Sequence, residues 1–417
     1  MISRGTSQQS SAPYNRRLVL DLIRRVGEIS RKEIVHQVSL SPQTVANITQ
    51  ELESTGVVIS RRRRVEKSRG QPPIVFALNP DGGTSIGINL EPGRVSGALV
   101  NLTGEVQSRR SVNVDTNKPE VCLDAMLAMV AAFELELENQ VPIWGIGVSL
   151  PGPFGAKELS FVGPTVFDGW EDLAVLDQLH EQSGHHVCYS TDSVAGALGE
   201  SLYGAAKNFR DFYYMHFGIG LGGVLVTGHS AYQGASGNAT ELGHVPVSMD
   251  GKACYCGNRG CLERYLSLYA LGESFEDRGI AAPDAGQLET MLENNDSMLD
   301  SWCRQATGYL RQAVCFIENT LDPEVIIIGG SAPVGLLKKL TEEASPWFHS
   351  VRGGQGQEEQ RVVLAGHGKE SSILGAAVLP LYEMMTPSLD VLHRREMRES
   401  VSETLFGQNI RPRVGRL

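Results

Sequence analysis

Three of the seven cysteines, Cys254, Cys256 and Cys261, fall within the stretch CYCGNRGCLE, which is separated from the His244 of ELGH by nine residues. One imidazole and three thiolates fit a closed tetrahedral structural zinc site, and the intervening glycines let a short loop wrap the ion. Three buried structural thiols are the alternative, and a disulfide does not suit a reducing compartment. Glu241 and Glu263 bracket this segment, and Asp192 lies in YSTDSVAGALGE. Acids beside a metal-braced loop would hold acceptors ready for several hydroxyls, as a sugar site needs. Taken singly, each of these acids could equally be a helix cap or a surface charge. The other cysteines, Cys122, Cys188, Cys303 and Cys315, stand singly in apolar surroundings and read as core.

The elements that must position these residues alternate between strand and helix. Strands are expected over 85–90, 95–102 and 105–114, a helix over 123–137, and a buried strand over 143–150 that ends in Pro151-Gly152-Pro153. A Gly-rich stretch, HFGIGLGGVLVTG, covers 216–228, and VIIIGG at 325–330 reads as a strand and its turn. Hairpins alternating with helices indicate an α/β body of two lobes. There is no solenoid-type repeat, and low complexity is confined to the polar first dozen residues and GGQGQEEQ at 353–360.

Ahead of this body stands a segment of different character. RRLVLDLIRRV at 16–26 places Leu18, Leu22 and Val26 on one helical face. Ser30 and Glu33 have capping-box spacing and open a second helix through Val38. Ser41 as N-cap and Pro42 at the first helical position start a third, which runs to about Ser54 and is ended by Gly56. Strands at 57–59 and 74–78 flank RRRRVEKSRGQPP as a hairpin, which completes a winged helix-turn-helix. The third helix interleaves Val45, Ile48 and Leu52 with Ser41, Gln43, Thr44, Asn47 and Gln50, whose amides and hydroxyls can read base edges in a major groove. Arg31 at the second helix, Arg61 to Arg64, Lys67 and Arg69 supply phosphate or minor-groove contacts. A protein-binding winged helix with a solvated polar face, and an idle charged loop, remain the alternatives.

Charge separates the two parts. Residues 1–80 hold 13 Lys and Arg against 6 Asp and Glu, a net +7, whereas residues 81–417 carry −18 of the overall −11. A basic head on an acidic body suits a polyanion-binding module attached to something with another job. With 417 residues, 41% hydrophobic and 20% charged, the chain is globular in composition, not disordered, collagenous or coiled-coil. Its longest apolar run, 125–133, is half a membrane span, and the N-terminus lacks the apolar region of a secretory signal. A cytoplasmic protein without membrane insertion, nucleoid-associated when bound to DNA, is therefore expected.

Over about residues 14–385 the chain resembles the ROK family, named for repressors, open reading frames and kinases. The motifs appear in family order: Arg69-Gly70-Gln71-Pro72 closing the winged helix, Gly145-Ile146-Gly147-Val148 through Pro153, then Asp192. The glycines at 218, 220, 222 and 223, the Glu241–His244 and Cys254–Glu263 pair, Asp322-Pro323, Gly329-Gly330 and Ile373-Leu374-Gly375-Ala376-Ala377 complete the set. The resemblance implies an actin-like, ATPase-type sugar-kinase fold with sugar between two α/β lobes. It implies a catalytic aspartate at Asp192, vestigial here, and sugar contacts from Asp192, Glu241 and Glu263. It also implies that His244 binds zinc through one ring nitrogen and meets a sugar hydroxyl with the other.

The departures from the family bear on activity. The phosphate turn Asp-x-Gly-Gly-Thr of family kinases is Asn89-Leu90-Glu91-Pro92-Gly93 here. Glu91 would set negative charge beside phosphate, and Pro92 removes a donor. Thr191 and Val194 replace asparagines that flank the aspartate, and Ile219 replaces a threonine of the second Gly-rich turn. The expectation is a sugar-responsive, DNA-binding transcriptional regulator, a repressor, of carbohydrate-metabolism genes with a degenerate ATP site. It would be a homodimer or homotetramer on an inverted-repeat, double-stranded operator. A sugar kinase bearing a DNA-binding head, or a regulator controlled by a sugar-transport protein, are the alternatives. The expected division is a flexible 1–13, a head at 14–80, a first lobe at 81–203 plus 371–390, a second lobe at 204–370, and a tail at 391–417. That tail is read as a docking segment or a frayed terminus.

Overall fold

The computed structural model describes residues 8–63, 73–137, 141–152, 169–170, 173–235, 237–351, 361–366, 371–387 and 414–416. Arg64, Lys67, Arg69, Gly70-Gln71-Pro72, Pro153, the 353–360 stretch and most of the 391–417 tail lie outside the described residues.

The head consists of α1 (Gln8–Val26), β1 (Ile29–Ser30), α2 (Arg31–Val38), α3 (Pro42–Ser54), β2 (Val58–Arg62) and β3 (Ile74–Leu78). Its start signals are local. The Ser30 hydroxyl accepts from Glu33 N while the Glu33 carboxylate accepts from Ser30 N, and Ser41 caps α3 by accepting from Thr44 N. Helix α1 begins at Gln8, ahead of the expected residue 16, so residues 8–13, expected to be flexible, are helical. Pro13 lies inside α1, past its first turn, where its missing N–H removes one hydrogen bond of the helix ladder. Strands β1, β3 and β2 form the three-stranded sheet of the wing.

The body holds two sheets. The first has the order β14-β8-β7-β4-β5-β6, from β4 (Thr84–Glu91), β5 (Arg94–Asn101), β6 (Val106–Asn113), β7 (Ile143–Leu150), β8 (Val187–Thr191) and β14 (Val414–Arg416). Helices α4 (Pro119–Leu137), α5 (Ala174–Ser183), α6 (Asp192–Tyr203) and α11 (Ser371–Met385) accompany it. The second sheet, β11-β10-β9-β12-β13, comprises β9 (Phe212–Phe217), β10 (Leu221–Thr227), β11 (Ser230–Ala231), β12 (Val325–Gly329) and β13 (Val362–Leu364). It packs with α7 (Leu268–Glu276), α8 (Ala285–Glu293), α9 (Ser297–Leu321) and α10 (Val334–Glu343). The 391–417 segment is thus not wholly a tail, because Gly415 pairs in parallel with Cys188. An open strand edge at β8 offers unpaired N–H and C=O groups, and the end of the chain satisfies them.

Two helices link the body to the head. Val19, Leu20 and Ile23 of α1 share one buried cluster with Leu198 and Leu202 of α6 and with Leu381 and Met385 of α11. Each such side chain contributes about 1.5–3 kcal/mol when fully buried. Arg24, almost wholly buried, donates to the Leu202 carbonyl at the end of α6 and to Asp21. Glycine is obligatory where α11 crosses the first sheet: a Cβ on Gly147 would lie 1.8 Å from the Ala376 carbonyl oxygen. Helix α6 therefore starts at Asp192 in the body and finishes in hydrogen-bond contact with the head.

Candidate functional site

Strand β8 ends at Thr191, whose hydroxyl accepts from Val194 N and starts α6, leaving Asp192 at the first helical position. Ser193 N and Oγ both donate to Asp192 Oδ1, at 2.6 and 3.1 Å. Asp192 Oδ2 lies 3.6 Å from His216 Nε2, and His216 Nδ1 is buried without a hydrogen-bond partner. His216 and Ser193 escaped the sequence reading. The only signal was a single imidazole within the apolar strand FYYMHF.

The β9–β10 hairpin passes close to this aspartate, and it needs glycine to do so. A Cβ on Gly222 would meet the Ser193 hydroxyl at 2.1 Å, and one on Gly220 would meet Glu263 Oε2 at 2.6 Å. Glu263 Oε2 accepts from Leu221 N at 2.8 Å, while Oε1 is buried with no partner. Burial pushes the Glu263 carboxyl up to about 7, with Glu241 and Asp192 adding to the rise. Glu241 follows Thr240, a β-branched residue held at φ 67°, whose hydroxyl donates to the Gly223 carbonyl. The Glu241 carboxyl is also raised, to about 7, by the protein around it and by Asp192. Its surface is nonetheless open to solvent, which screens that effect. Glu91 is desolvated too, in the electrostatic range of Asp192 and His216, with Arg94 opposing the rise. Glu241, Glu263 and Glu91 thus all lie within electrostatic range of Asp192.

A raised carboxyl has a sign consequence. Glu263 keeps its proton in the folded chain to about pH 7, whereas the unfolded chain releases it near the ordinary 4.5. Its contribution to stability is greatest below that ordinary value and is lost as pH climbs through about 7. Calorimetric melts of the ligand-free protein between pH 5 and 8 are expected to show this loss, and Glu263→Gln flattens that part of the profile. An unchanged pH profile in the variant refutes the placement of this group.

Beside the cleft, His244, Cys254, Cys256 and Cys261 converge, with one ligand atom from each within 4.8 Å of every other. His244 Nδ1 is 3.7 Å from Cys254 Sγ, and Cys256 Sγ is 3.6 Å from Cys261 Sγ. These separations suit the edges of a tetrahedron of Zn–S and Zn–N bonds of about 2.3 and 2.0–2.1 Å. Gly260 is held at φ 72°, and a Cβ there would sit 1.7 Å from the Ser248 carbonyl oxygen, so only glycine closes this loop. The donor set and its spacing fit a zinc ion. One cysteine assignment is corrected, since Cys315 is half-buried with its Sγ near the His349 carbonyl; Cys188 is buried in a hydrophobic core cluster as read, and also contacts His186 and Glu383. Both sit against polar groups because neighbouring elements, invisible in the local sequence, bring those groups in. Cys122 and Cys303 are buried.

On the head, Gln43 and Asn47 are exposed on the outer face of α3, and Gln43 Nε2 donates to Asn47 Oδ1 at 2.9 Å. Ser41 and Thr44 pair their hydroxyls at 2.8 Å at the start of the same helix. The arginines are less uniform than their sequence suggests. Arg31 donates through Nε to Thr49 Oγ1 and stacks over Phe76, and Arg61 pairs with Glu28. Arg63 bonds Glu33 Oε1 and the Glu28 carbonyl, whereas Arg62 is exposed. The Glu33 carboxyl is held down at about 2, first by Ser30 N and Oγ and then by Arg63. If α3 reads bases, Gln43→Ala combined with Asn47→Ala lowers the ratio of specific to non-specific DNA affinity by roughly 10-fold or more. Arg62→Ala weakens both alike and reduces the salt slope by about one. Fluorescence anisotropy at several salt concentrations reads both, and a double variant with unaltered selectivity contradicts the assignment.

Comparison with known proteins gives two family matches: ROK family over residues 85–382, and winged helix-turn-helix DNA-binding over residues 14–59. The chain is 29% identical to a xylose repressor of Bacillus spizizenii, over 76% of this chain and 82% of that protein. A ROK family transcriptional regulator, described as a homologue of the Escherichia coli MLC protein, superposes with a TM-score of 0.72 at 24% identity, covering 92% of this chain and all of that one. A ROK hexokinase from Thermus thermophilus gives 0.57 at 26% identity, covering 72% and 98%. The two-lobed sheets behind the cleft, and a head placed ahead of them, are accounted for together: the chain belongs to the ROK family and carries an N-terminal winged helix-turn-helix.

Proposed function

We propose that this chain is a sugar-responsive DNA-binding repressor of carbohydrate-metabolism genes, without sugar-kinase turnover. The observation that carries it is Glu263 Oε1, a buried carboxylate oxygen with no partner, in a cleft shared with Asp192 and Glu241. A ligand hydroxyl satisfies such an oxygen, whose desolvation otherwise goes uncompensated. Asp192, Glu241, Glu263 and His244 contact the sugar in this reading. His244, Cys254, Cys256 and Cys261 hold a structural zinc, which fixes the loop and the ring of His244 when bound.

Ser41, Gln43, Thr44 and Asn47 face base edges, and Arg62 with Arg31, Arg63, Arg64 and Arg69 faces phosphate, Arg31 and Arg63 through whatever their internal bonds leave. Two heads of a dimer or tetramer engage an inverted repeat. A sugar that favours one arrangement of the body over another shifts the head's population through α6 and α11. The relative named a xylose repressor supports the sugar class and puts xylose first among ligands to try.

Calorimetric titration with xylose, glucose and amino sugars tests the cleft. Saturable heat for at least one sugar supports the reading, and no binding across the panel overturns it. A second reading, a sugar kinase, is favoured by Asp192 lying 3.6 Å from His216, a base with a positioning partner. Glu91 and Pro92 at the phosphate turn weigh against it. Sugar-dependent ATP consumption above background in a coupled assay would replace the repressor reading with that one.

A further inference from the structure

A second set of metal-ligating side chains lies far from the cleft. His186 directly precedes β8, Cys188 is in β8, and Glu383 is in the last turn of α11. His186 Nε2 is 2.9 Å from Glu383 Oε2, Cys188 Sγ is 3.1 Å from that nitrogen, and Sγ is 3.2 Å from the same oxygen. Residues 186 and 188 share a face because alternate residues of an extended chain point the same way. Glu383 reaches them from a helix 195 residues later in sequence. We propose that His186, Cys188 and Glu383 form a second transition-metal site, distinct from the four-residue cluster, that takes a zinc-like divalent cation.

Imidazole, thiolate and carboxylate are the donors such an ion takes, and three protein ligands leave a fourth position for water. The three separations fall a few tenths of an ångström short of the edges of a tetrahedron built from bonds of about 2.0–2.3 Å. Small side-chain rotations would therefore open the triangle enough for an ion. Although burial raises the Glu383 carboxyl, the His186 hydrogen bond and charge outweigh it and hold the group at about 2, so a charged ligand is ready. Cys188 is fully buried and its thiol pushed well up, so binding releases the thiol proton to solvent as the S–metal bond forms.

The location gives the site a consequence. Leu381 and Met385, on either side of Glu383 along α11, pack in the cluster that holds α1, and Arg17 of α1 lies within electrostatic range of Glu383. Tyr382, next to Glu383, donates to the His229 carbonyl. An ion at this point ties the first sheet to the end of the helix on which the head rests.

The test uses full-length protein as purified, dialysed against cobalt(II), with the absorption spectrum and total metal content read together. The expected result is about one added equivalent of cobalt, with a single-thiolate charge-transfer band, in wild type and in Glu263→Gln. Cys188→Ser and Glu383→Gln are expected to lose both. Should Cys188→Ser fail to fold by circular dichroism, Glu383→Gln decides, since that side chain is only half-buried. No cobalt uptake by wild type, or uptake that survives in the folded variants, overturns the proposal.

Discussion

Cys256→Ser is expected to strip the bound metal from the four-residue cluster and abolish the response to sugar while leaving operator binding in place. The four ligands are a histidine at the end of a short turn and three cysteines in a loop closed by Gly260 and tied by backbone hydrogen bonds such as Cys254 N to the Asn258 carbonyl and Gly260 N to the Lys252 carbonyl. In small zinc-dependent folds, apparent binding energies of about 10–16 kcal/mol are folding energies, so removing one ligand of four has a large local effect. The loop carries His244 and leads directly into Glu263, so its loosening releases two of the four cleft residues. The head's buried Ile34, Val45, Ile48 and Leu52 belong to a cluster that contains no residue of this loop, so the head stays folded. Mass-spectrometric metal content and an operator mobility shift read the two halves of this expectation. Full metal content with an intact sugar response in Cys256→Ser contradicts the cluster's role.

Glu263→Gln carries the second large effect. One oxygen is committed to Leu221 N and the other is buried without a partner. Above about pH 7, where the carboxyl is ionised, the amide keeps the shape but removes the charge, and a hydrogen bond to a charged group is worth about 1.5–3 kcal/mol. Sugar affinity is therefore expected to fall roughly 10- to 150-fold, with the ligand-free affinity for DNA unchanged because the head is remote. Titration calorimetry measures the first quantity and anisotropy the second. A sugar dissociation constant equal to that of wild type removes Glu263 from the site.

What the sequence disclosed follows from how far apart the interacting residues are. Ser30 with Glu33 and Ser41 with Thr44 satisfy one another across a single helical turn, so the starts of α2 and α3 could be read directly. His244 and the three cysteines span eighteen residues, and their chemistry is specific enough to be recognised together. Glu241 and Glu263 followed from that cluster. Asp192 was singled out with them, but its catalytic role came from the family resemblance, because a lone aspartate at a helix start has many uses.

Long-range pairings were hidden. Nothing near Arg61 or Arg63 in sequence announces Glu28 or Glu33 as partners, so an arginine run that looked free for phosphate is partly spent within the head. Cys188 is core as read, but its polar neighbour Glu383 arrives from α11 and leaves no mark in the local sequence. The pairing of residues 414–416 with β8 was equally invisible, since a three-residue strand has too little pattern to reveal its mate. His216 was overlooked because one imidazole in an apolar strand is more often a core residue than a partner of an acid.

The central claim is that sugar bound in the cleft changes how the head holds DNA. Its most direct measurement is a mobility shift of the purified full-length protein on the DNA upstream of its own gene, titrated with xylose and the other sugars at fixed salt. The account predicts sequence-selective binding that one sugar relieves at concentrations matching its calorimetric affinity, and that Glu263→Gln relieves only at much higher concentration. Binding that no sugar alters, or that Glu263→Gln releases as readily as wild type, contradicts it.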